Sequence, residues 1–314
     1  MILTYDQIKE IVVGAVHMEN TDQGMRFYKY SPEMRAVWES KSENFGIAGR
    51  CSTGIRLDFH TNSKHLNIEI ESNAKFEIYV NGMFRAFLHD GTSLSMDIDI
   101  PYGRELDDAH ITVYFPSHKR GKLRSIELDD GAYVRPHRFD RSILFIGDSI
   151  TQGWNTQFDS LSFANKVSRY FNADSVVQGV GGACFFPECL EKIEKDFDWV
   201  VLSYGTNDFD KRKEFDEFYL HMSEYMAKLE DMYGDKKVFV ITPIWRRISK
   251  PEARERFEIY RNAIAAEAEK HGFISIDGGL LVPPVQELYT DGLHPNDVGF
   301  SLYAENLIEI LENN

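Results

Sequence analysis

The hydrophobic pattern of the chain changes its period near residue 140, and this change most constrains the fold. Before about residue 130, apolar and polar residues alternate in short runs, most clearly at 54–60, 66–71 and 76–80. After residue 141, short continuous apolar runs alternate with longer stretches of helical spacing. A period of two indicates half-buried strands, whereas continuous apolar strands between helices indicate a parallel sheet covered on both faces. The pattern therefore predicts two domains of different class.

The first domain, residues 1–135, is expected to be an antiparallel β-sandwich of jelly-roll type. Further alternating runs at 84–88, 94–100, 111–115 and 123–128 give the strand spacing that is typical of sandwiches. Asn81-Gly82 stands between two of the runs and predicts a two-residue hairpin, because that turn needs positive φ at both positions. A short helix near residues 5–13 is expected to precede the sandwich.

The second domain, residues 136–314, is expected to be an α/β domain with a parallel five-stranded sheet between layers of helices. Continuous apolar runs, each followed by Gly or Pro, predict its strands at 143–146, 175–178, 199–204, 238–242 and 273–277. Helical spacing predicts the covering helices at 215–232, 252–271 and 296–311. In such a sheet, ligands bind beyond the carboxyl ends of the strands, so functional side chains should follow these runs.

Charge and composition exclude several classes of partner. The sequence has 35 Lys and Arg against 50 Asp and Glu, a formal net charge of −15, whereas nucleic acids and anionic membranes attract basic surfaces. No run of 18 apolar residues predicts a membrane span, and the N-terminus does not read as a signal peptide. Three cysteines give no disulfide framework. We therefore expect a cytoplasmic protein with no nucleic-acid or membrane partner.

Candidate catalytic groups follow three of the predicted strands. Ser149 follows the first, where the chain should turn into a helix whose N-terminus stabilises negative charge. The glycine-rich segment 179–183 follows the second, and glycines let main-chain N–H groups approach a ligand closely. Asn207 follows the third, and a side-chain amide there is able to donate to an oxyanion. Taken alone, the Ser149 segment is equally compatible with an ordinary capped turn and the Asn207 segment is compatible with an Asx turn, while a single glycine more often serves tight packing of a helix on a strand.

Asp291 and His294 stand three residues apart before the last predicted helix. That spacing lets a carboxylate fix the tautomer of an imidazole, as in a hydrolytic triad. The pair can also ligate a metal ion, with Asp148 and Asp208 as further ligands, but a metal site usually has more His, Cys or carboxylate partners nearby. Together with Ser149, the pair supplies a nucleophile, a base and an orienting group, so we predict neither a metal nor a cofactor.

These segments resemble the signature blocks of the GDSL, or SGNH, hydrolases. The matching residues occur in the family's order: 145–153, the loop around residue 182, 205–208, and 291 with 294. The resemblance implies a three-layer flavodoxin-like fold, with Ser149 as nucleophile, His294 as base and Asp291 as the third triad member. It also implies an oxyanion hole formed by the main-chain N–H groups of Ser149 and Gly182 and by the Asn207 side chain.

A β-sandwich placed before such a domain resembles the two-domain carbohydrate esterases, especially the family-two deacetylases. That likeness implies a serine esterase that removes small acyl groups, acetyl foremost, from an acylated sugar through an acyl-enzyme. Two alternatives remain open: an acylhydrolase of the lipase or thioesterase type that takes longer acyl chains, and a carbohydrate-binding protein whose hydrolase half is idle. Whether the chain forms a homo-oligomer is also open.

Other side chains near the predicted blocks are candidates for lining a substrate pocket. Aromatic faces suit both sugar rings and acyl chains, although Phe and Trp are usually core residues. The candidates are Asp148, Trp154, Phe185, Tyr204, Asp208, Trp245 and Arg246.

Overall fold

A computed structural model of the protein describes residues 1–71, 75–88, 93–98 and 107–314. The first part of the chain is built mainly of antiparallel strands. Its elements in chain order are α1 (Tyr5–Ile11), β1 (Val12–Val13), β2 (His17–Thr21), β3 (Gly24–Tyr28), α2 (Pro32–Lys41), α3 (Glu43–Gly49), β4 (Arg56–Thr61), β5 (His65–Ile70), β6 (Phe76–Val80), β7 (Met83–Leu88), β8 (Ser93–Asp97), β9 (Ala109–Tyr114), β10 (Lys122–Leu128) and β11 (Arg135–Pro136).

These strands form two antiparallel sheets that share one apolar core. One sheet has the order β2-β3-β10-β5-β8, and the other has the order β1-β4-β9-β6-β7 with β11 paired to β4. Leu66, Ile68 and Ile70 alternate with polar residues along β5 and point into the core, as the period of two predicts. Asn81 and Gly82 join β6 to β7 with φ values of 50° and 75°, which confirms the predicted hairpin. Residues 99 and 100 of the predicted strand 94–100 lie outside the described residues.

Residues 31–50, to which the sequence pattern assigned no element, form the helices α2 and α3. The hydroxyl of Ser31 caps α2 by accepting from Met34 N at 3.1 Å, and Pro32 occupies the first turn. Trp38 of α2 is 1% exposed and packs with Tyr30 in the core of the parallel sheet. The first part of the chain thus contributes to the core of the second, and the division at residues 135 and 136 stays a prediction.

The second part of the chain has the predicted alternation of strands and helices. Its elements are β12 (Arg141–Gly147), α4 (Ser149–Gln152), α5 (Phe163–Tyr170), β13 (Ala173–Gly179), β14 (Trp199–Ser203), α6 (Thr206–Lys211), α7 (Phe215–Tyr233), β15 (Lys237–Ile241), α8 (Pro251–Lys270), β16 (Ile274–Ile276) and α9 (Asp297–Glu312). The strands form one parallel sheet with the order β13-β12-β14-β15-β16. This confirms the predicted five-stranded sheet. In the part of the chain that the structure describes, no helix is long and apolar enough to cross a membrane.

Apolar side chains cover both faces of the parallel sheet, and the strands end in register. One face packs against α7 and α8, while the other packs against α5 and α9. Gly147 at the end of β12 lies beside Gly179 of β13 and Ser203 of β14, and Ser203 lies beside Ile241 of β15. The segments that follow these strands therefore meet at one edge of the sheet, which is where ligands bind in such folds.

Candidate active site

Three side chains at this edge form a continuous chain of hydrogen bonds. Ser149 Oγ lies 2.8 Å from His294 Nε2, and His294 Nδ1 lies 2.8 Å from Asp291 Oδ2. With the Nδ1 proton donated to the carboxylate, Nε2 is left to accept the hydroxyl proton of Ser149. A hydroxyl, an imidazole and a carboxylate in this order can generate an alkoxide nucleophile.

The sharp turn between β12 and α4 places Ser149 at this edge of the sheet, where it lines a cavity described below although it is only 6% exposed. Asp148 caps the short helix α4, since its Oδ1 accepts from Ile150 N at 2.9 Å, and Ser149 is the first helical residue. Asp148 itself is 2% exposed, and this burial raises the pKa of its carboxyl to about 7. Asp148 therefore supports the turn from below instead of lining the cavity.

The loop that carries Asp291 is held in a conformation that presents its carboxylate to His294. Asp291 Oδ1 accepts from the main-chain N–H groups of Leu293 at 3.0 Å and His294 at 2.9 Å. Gly292 has φ +84°, a conformation that favours glycine. Partial burial acts to raise the pKa of Asp291, but the hydrogen bonds from His294 outweigh it and lower this pKa below its usual value. The group therefore stays a carboxylate and holds the imidazole in one tautomer.

The glycine loop after β13 presents a main-chain N–H group next to Ser149. Gly181 N already donates to Gln152 Oε1 at 2.8 Å. Gly182 follows with φ +78°, and its N–H has no acceptor within the described residues. Of the two glycines, Gly182 is therefore the one with a main-chain donor available to a ligand.

The Asn207 side chain lies at the same edge but is engaged in the free protein. Its Nδ2 donates to Asp148 Oδ2 at 3.2 Å and to Ala183 O at 3.1 Å. Both amide hydrogens therefore have acceptors. Donation to an oxyanion at this position would replace or share one of these two bonds.

A cavity of about 490 Å³ opens over Ser149 and His294, and both parts of the chain line it. The second part contributes Ser149, Gln152, Trp154, Gly181, Gly182, Asn207, Leu293 and His294. The first part contributes Asn44, Ile47, Ala48, Cys51 and His118. Helix α3 thus forms one wall of the site, which the sequence pattern did not predict.

His118 is a cavity residue that nothing in the sequence spacing singles out. Its Nε2–H donates to Gly153 O at 3.1 Å, and its ring packs edge-on against Trp154 with centroids 4.9 Å apart. Burial lowers the pKa of His118 to about 4, so the ring is neutral at physiological pH. It therefore adds an aromatic, uncharged surface beside the Trp154 ring.

The structure does not bring most of the other pocket candidates into this cavity. Trp154 lines it, but Phe185 and Tyr204 are 0% and 3% exposed and belong to the core. Asp208 is fully buried, where it accepts from Phe185 N at 3.2 Å, and burial raises its pKa to about 6. Trp245 and Arg246 line a separate cavity. These positions follow strand ends, but their side chains do not line the cavity over Ser149.

A group of three histidines lies between β4, β9 and the segment after β11, and none of the three lines the cavity over Ser149. Nitrogen atoms of His60, His110 and His137 lie within 4.8 Å of one another, and His60 Nε2 is 2.9 Å from His137 Nδ1. The ring planes are only 7–13° from parallel. Near-parallel rings do not aim their lone pairs at one point, as tetrahedral zinc requires, so the geometry fits a hydrogen-bonded stack better than a metal site.

Comparison with known proteins gives one family and many solved structures of similar fold. The model of the GDSL-like lipase/acylhydrolase family matches residues 145–302, which is half of the chain. No curated protein matches the sequence.

Several solved structures match nearly the whole chain, and three of them are described here. The salicylyl-acyltransferase SsfX3 from a tetracycline biosynthetic pathway is 18% identical, with a TM-score of 0.79 over 96% of this chain and 94% of its own. A protein described as a GDSL-like lipase from Bacteroides ovatus is 18% identical, with a TM-score of 0.74 over 100% of this chain and 97% of its own. A family two carbohydrate esterase from Clostridium thermocellum, in complex with cellohexaose, is 14% identical, with a TM-score of 0.68 over 96% of this chain and 98% of its own. At these identities, the likeness shows a shared two-part fold.

Proposed function

The chain belongs to the GDSL-like lipase/acylhydrolase family and is thus a carboxylic ester hydrolase; within that class we propose that it is a serine esterase that removes small acyl groups, acetyl foremost, from carbohydrates. The observation that carries the proposal is the unbroken chain of hydrogen bonds from Ser149 through His294 to Asp291. It ends at a hydroxyl that faces a cavity large enough for a sugar ring.

The proposed reaction begins with attack of Ser149 Oγ on the ester carbonyl carbon, while His294 Nε2 takes the hydroxyl proton. The tetrahedral oxyanion accepts hydrogen bonds from the N–H groups of Ser149 and Gly182 and from Asn207 Nδ2. The bond to the alcohol then breaks, and His294 returns the proton to the leaving oxygen. Water repeats the sequence on the acyl-enzyme, which frees the acid and restores Ser149.

The cavity lining supports a substrate with both an apolar and a sugar-like part. Ile47, Ala48 and Leu293 give apolar contacts for an acyl group. Trp154 is 43% exposed beside Ser149, and exposed aromatic faces suit the C–H faces of sugars. The cellohexaose complex of the esterase from Clostridium thermocellum adds support for a carbohydrate substrate.

The apolar walls also favour a second candidate, an acylhydrolase that takes longer acyl chains. A cavity of about 490 Å³ has room for more than an acetyl group. Rates on 4-nitrophenyl esters of acetate, butyrate and octanoate separate the two candidates. The proposal expects kcat/KM to fall from acetate to octanoate, and the opposite order favours the second candidate.

The decisive test compares Ser149→Ala with Ser223→Ala on 4-nitrophenyl acetate. Ser223 lies on α7, where its hydroxyl bonds Leu220 O, so its loss is a matched control. We expect at least about a 10³-fold loss of kcat for Ser149→Ala and none for the control. Equal rates in Ser149→Ala and the unmodified chain would refute the proposal and favour an idle hydrolase half. Acetate release from a panel of acetylated oligosaccharides then tests whether the substrate is a carbohydrate.

The location of the protein in the cytoplasm stays a prediction from the sequence.

A further inference from the structure

A second cavity, of about 500 Å³, lies after β15 and has an unusual lining. Its lining consists of four arginines, Glu258, Gly279 and an apolar group, here called the apolar floor, of Trp245, Ile248, Phe257 and Pro284. We call this space the arginine cavity and define it by Arg246, Arg247, Arg254 and Arg261. The proposed catalytic cycle uses none of these four side chains.

Two of the four guanidinium groups already have acidic partners in the protein. Arg246 Nη2 lies 2.8 Å from Asp210 Oδ2. Arg261 pairs with Glu258 at 2.7 Å and also with Asp277. These two arginines are therefore neutralised from within the chain.

Arg247 and Arg254 lack such partners. Arg254 Nε donates to Ile248 O at 2.7 Å, and Arg247 Nη2 lies 3.4 Å from Asp291 O. Within the described part of the chain, neither guanidinium pairs with a carboxylate. Each therefore keeps a full positive charge and N–H groups that an external anion can use.

The placement of these charges runs against both the net charge and the helix dipole. The chain has a net charge of −15, yet residues 246–254 contain four basic residues and one acidic one. Helix α8 begins at Pro251, with Lys250 at its N-cap and Arg254 in its first turn. Cations at a helix N-terminus are unfavourable, and an anion bound there would relieve the repulsion.

The arginine cavity is adjacent to the proposed active site. Arg247 N donates to Gly292 O at 2.7 Å, next to Asp291. Arg246 Nη1 donates to Thr206 O at 2.8 Å, next to Asn207. Two residues of the arginine cavity therefore hydrogen-bond to the loops that carry Asn207 and Asp291. A substrate whose ester lies at Ser149 is expected to extend over these loops toward the arginines.

We propose that the arginine cavity binds an oxyanion group, a carboxylate or a phosphate, carried on the body of the substrate away from the scissile ester. The guanidinium groups of Arg247 and Arg254 recognise the anion, and the apolar floor contacts the ring or chain that bears it. This inference rests on the proposed esterase function for the identity of the substrate, but binding of the anion does not require turnover.

Calorimetric titration of the full chain with benzoate, phenyl phosphate and the neutral analogue benzamide tests the binding. We expect one of the two anions to bind, with affinity that falls as salt rises, and benzamide to bind at least tenfold more weakly. The double variant Arg247→Gln/Arg254→Gln should lose tenfold or more in anion affinity. Arg124→Gln, an exposed arginine of β10, should lose none. Tighter binding of phenyl phosphate assigns a phosphate, and tighter binding of benzoate assigns a carboxylate.

A second measurement tests whether the bound anion belongs to the substrate. The acetyl esters of 4-hydroxybenzoate and 4-hydroxybenzamide have similar shapes, and the group distant from the ester is an anionic carboxylate in the first and a neutral amide in the second. We expect the ratio of their kcat/KM values, anionic over neutral, to fall tenfold or more in the double variant. Both kcat/KM values are measured on the same variant, so their ratio does not change if part of that protein is inactive.

The outcomes separate this inference from the proposed function. No anion binding, or binding that the double variant keeps, overturns the arginine cavity as a site. Binding with an unchanged kinetic ratio overturns its role in substrate recognition. If Ser149→Ala keeps full esterase activity while the anions still bind, the proposed function fails and the site stands.

Discussion

Lys29 Nζ lies 2.6 Å from the main-chain oxygen of Gly179, so a lysine of the first part of the chain holds the end of β13. The same Nζ donates to Thr53 Oγ1 at 2.8 Å. Lys29 is 0% exposed and has no carboxylate partner within the described residues. Gly179 begins the loop that presents Gly182, so the first part of the chain supports the proposed oxyanion site from beneath.

Stability should rise with pH in the range where Lys29 loses its proton. Burial lowers the pKa of Lys29 to about 8, while the unfolded chain keeps the ordinary value near 10.4. Between these values the unfolded state binds more protons, so the free energy of unfolding increases with pH. We expect Lys29 to contribute a gain of about 2 kcal/mol from pH 7.5 to 9.5. Lys29→Met should remove this gain in urea unfolding, and replacing the exposed Lys213 by Met should keep it. If the free energy of unfolding changes with pH in the same way in all three proteins, Lys29 is not the group responsible.

Gly182→Ala should reduce kcat by about 10- to 100-fold, because an alanine at φ +78° strains the backbone that presents the N–H group. Gly131 is a matched control, since it has φ +81° and a Cβ added there would meet no atom within 4 Å. Gly131→Ala should lose a similar amount of stability, about 1 kcal/mol, yet keep its esterase activity. Steady-state kinetics and urea unfolding of both variants check this. If Gly182→Ala and Gly131→Ala lose the same activity, the loss comes from backbone strain in general and not from the N–H group of Gly182.

Asp291→Asn should lower kcat by about 10²- to 10⁴-fold while leaving KM within a few-fold, because the amide no longer fixes the imidazole tautomer. The hydrogen bonds that lower the Asp291 pKa keep it ionised through mildly acidic pH. We therefore expect the defect to persist from pH 6 to pH 9. The exposed Asp235→Asn is the control in the same assay. A defect that disappears at high pH would argue against the orienting role.

Ile47→Ala should reduce kcat/KM on 4-nitrophenyl butyrate by about 5- to 20-fold, because the cavity loses apolar contact worth roughly 1–2 kcal/mol. Ile47 is 50% exposed on α3, so its truncation should change the free energy of unfolding little. Ile259 is 54% exposed on α8, and Ile259→Ala should leave the kinetics unchanged. Identical kinetics in the two variants would show that α3 does not contact the substrate.

The sequence pattern predicted the elements whose signals are local and strong. The five buried strands, the long helices α7, α8 and α9, and the hairpin at Asn81 and Gly82 all follow from periodicity and turn chemistry. Ser149, His294 and Asp291 come together because the strands end in register and the last loop returns to the same edge. The resemblance of their segments to a family's signature blocks predicted these three residues, and their catalytic roles stay a proposal.

The remaining parts of the site depend on packing between distant segments, which periodicity does not encode. Helix α2 could have been found from Ser31-Pro32, a cap followed by proline, but its contact with the parallel sheet could not. His118 and Ile47 reach the cavity only through the way the two parts pack. Phe185 and Tyr204 follow strand ends as expected, yet tertiary packing directs their rings into the core.

The cavity over Ser149 takes one wall from α3 and the loop at His118, which both precede Ser149 in the chain. Recombination that attached the hydrolase half to an unrelated sandwich would carry over the reactive groups but leave the pocket open on one side. Substitutions that change substrate preference in descendants of this chain are therefore expected among the first 120 residues as well as in the rest of the chain. The two parts are thus expected to have been inherited together.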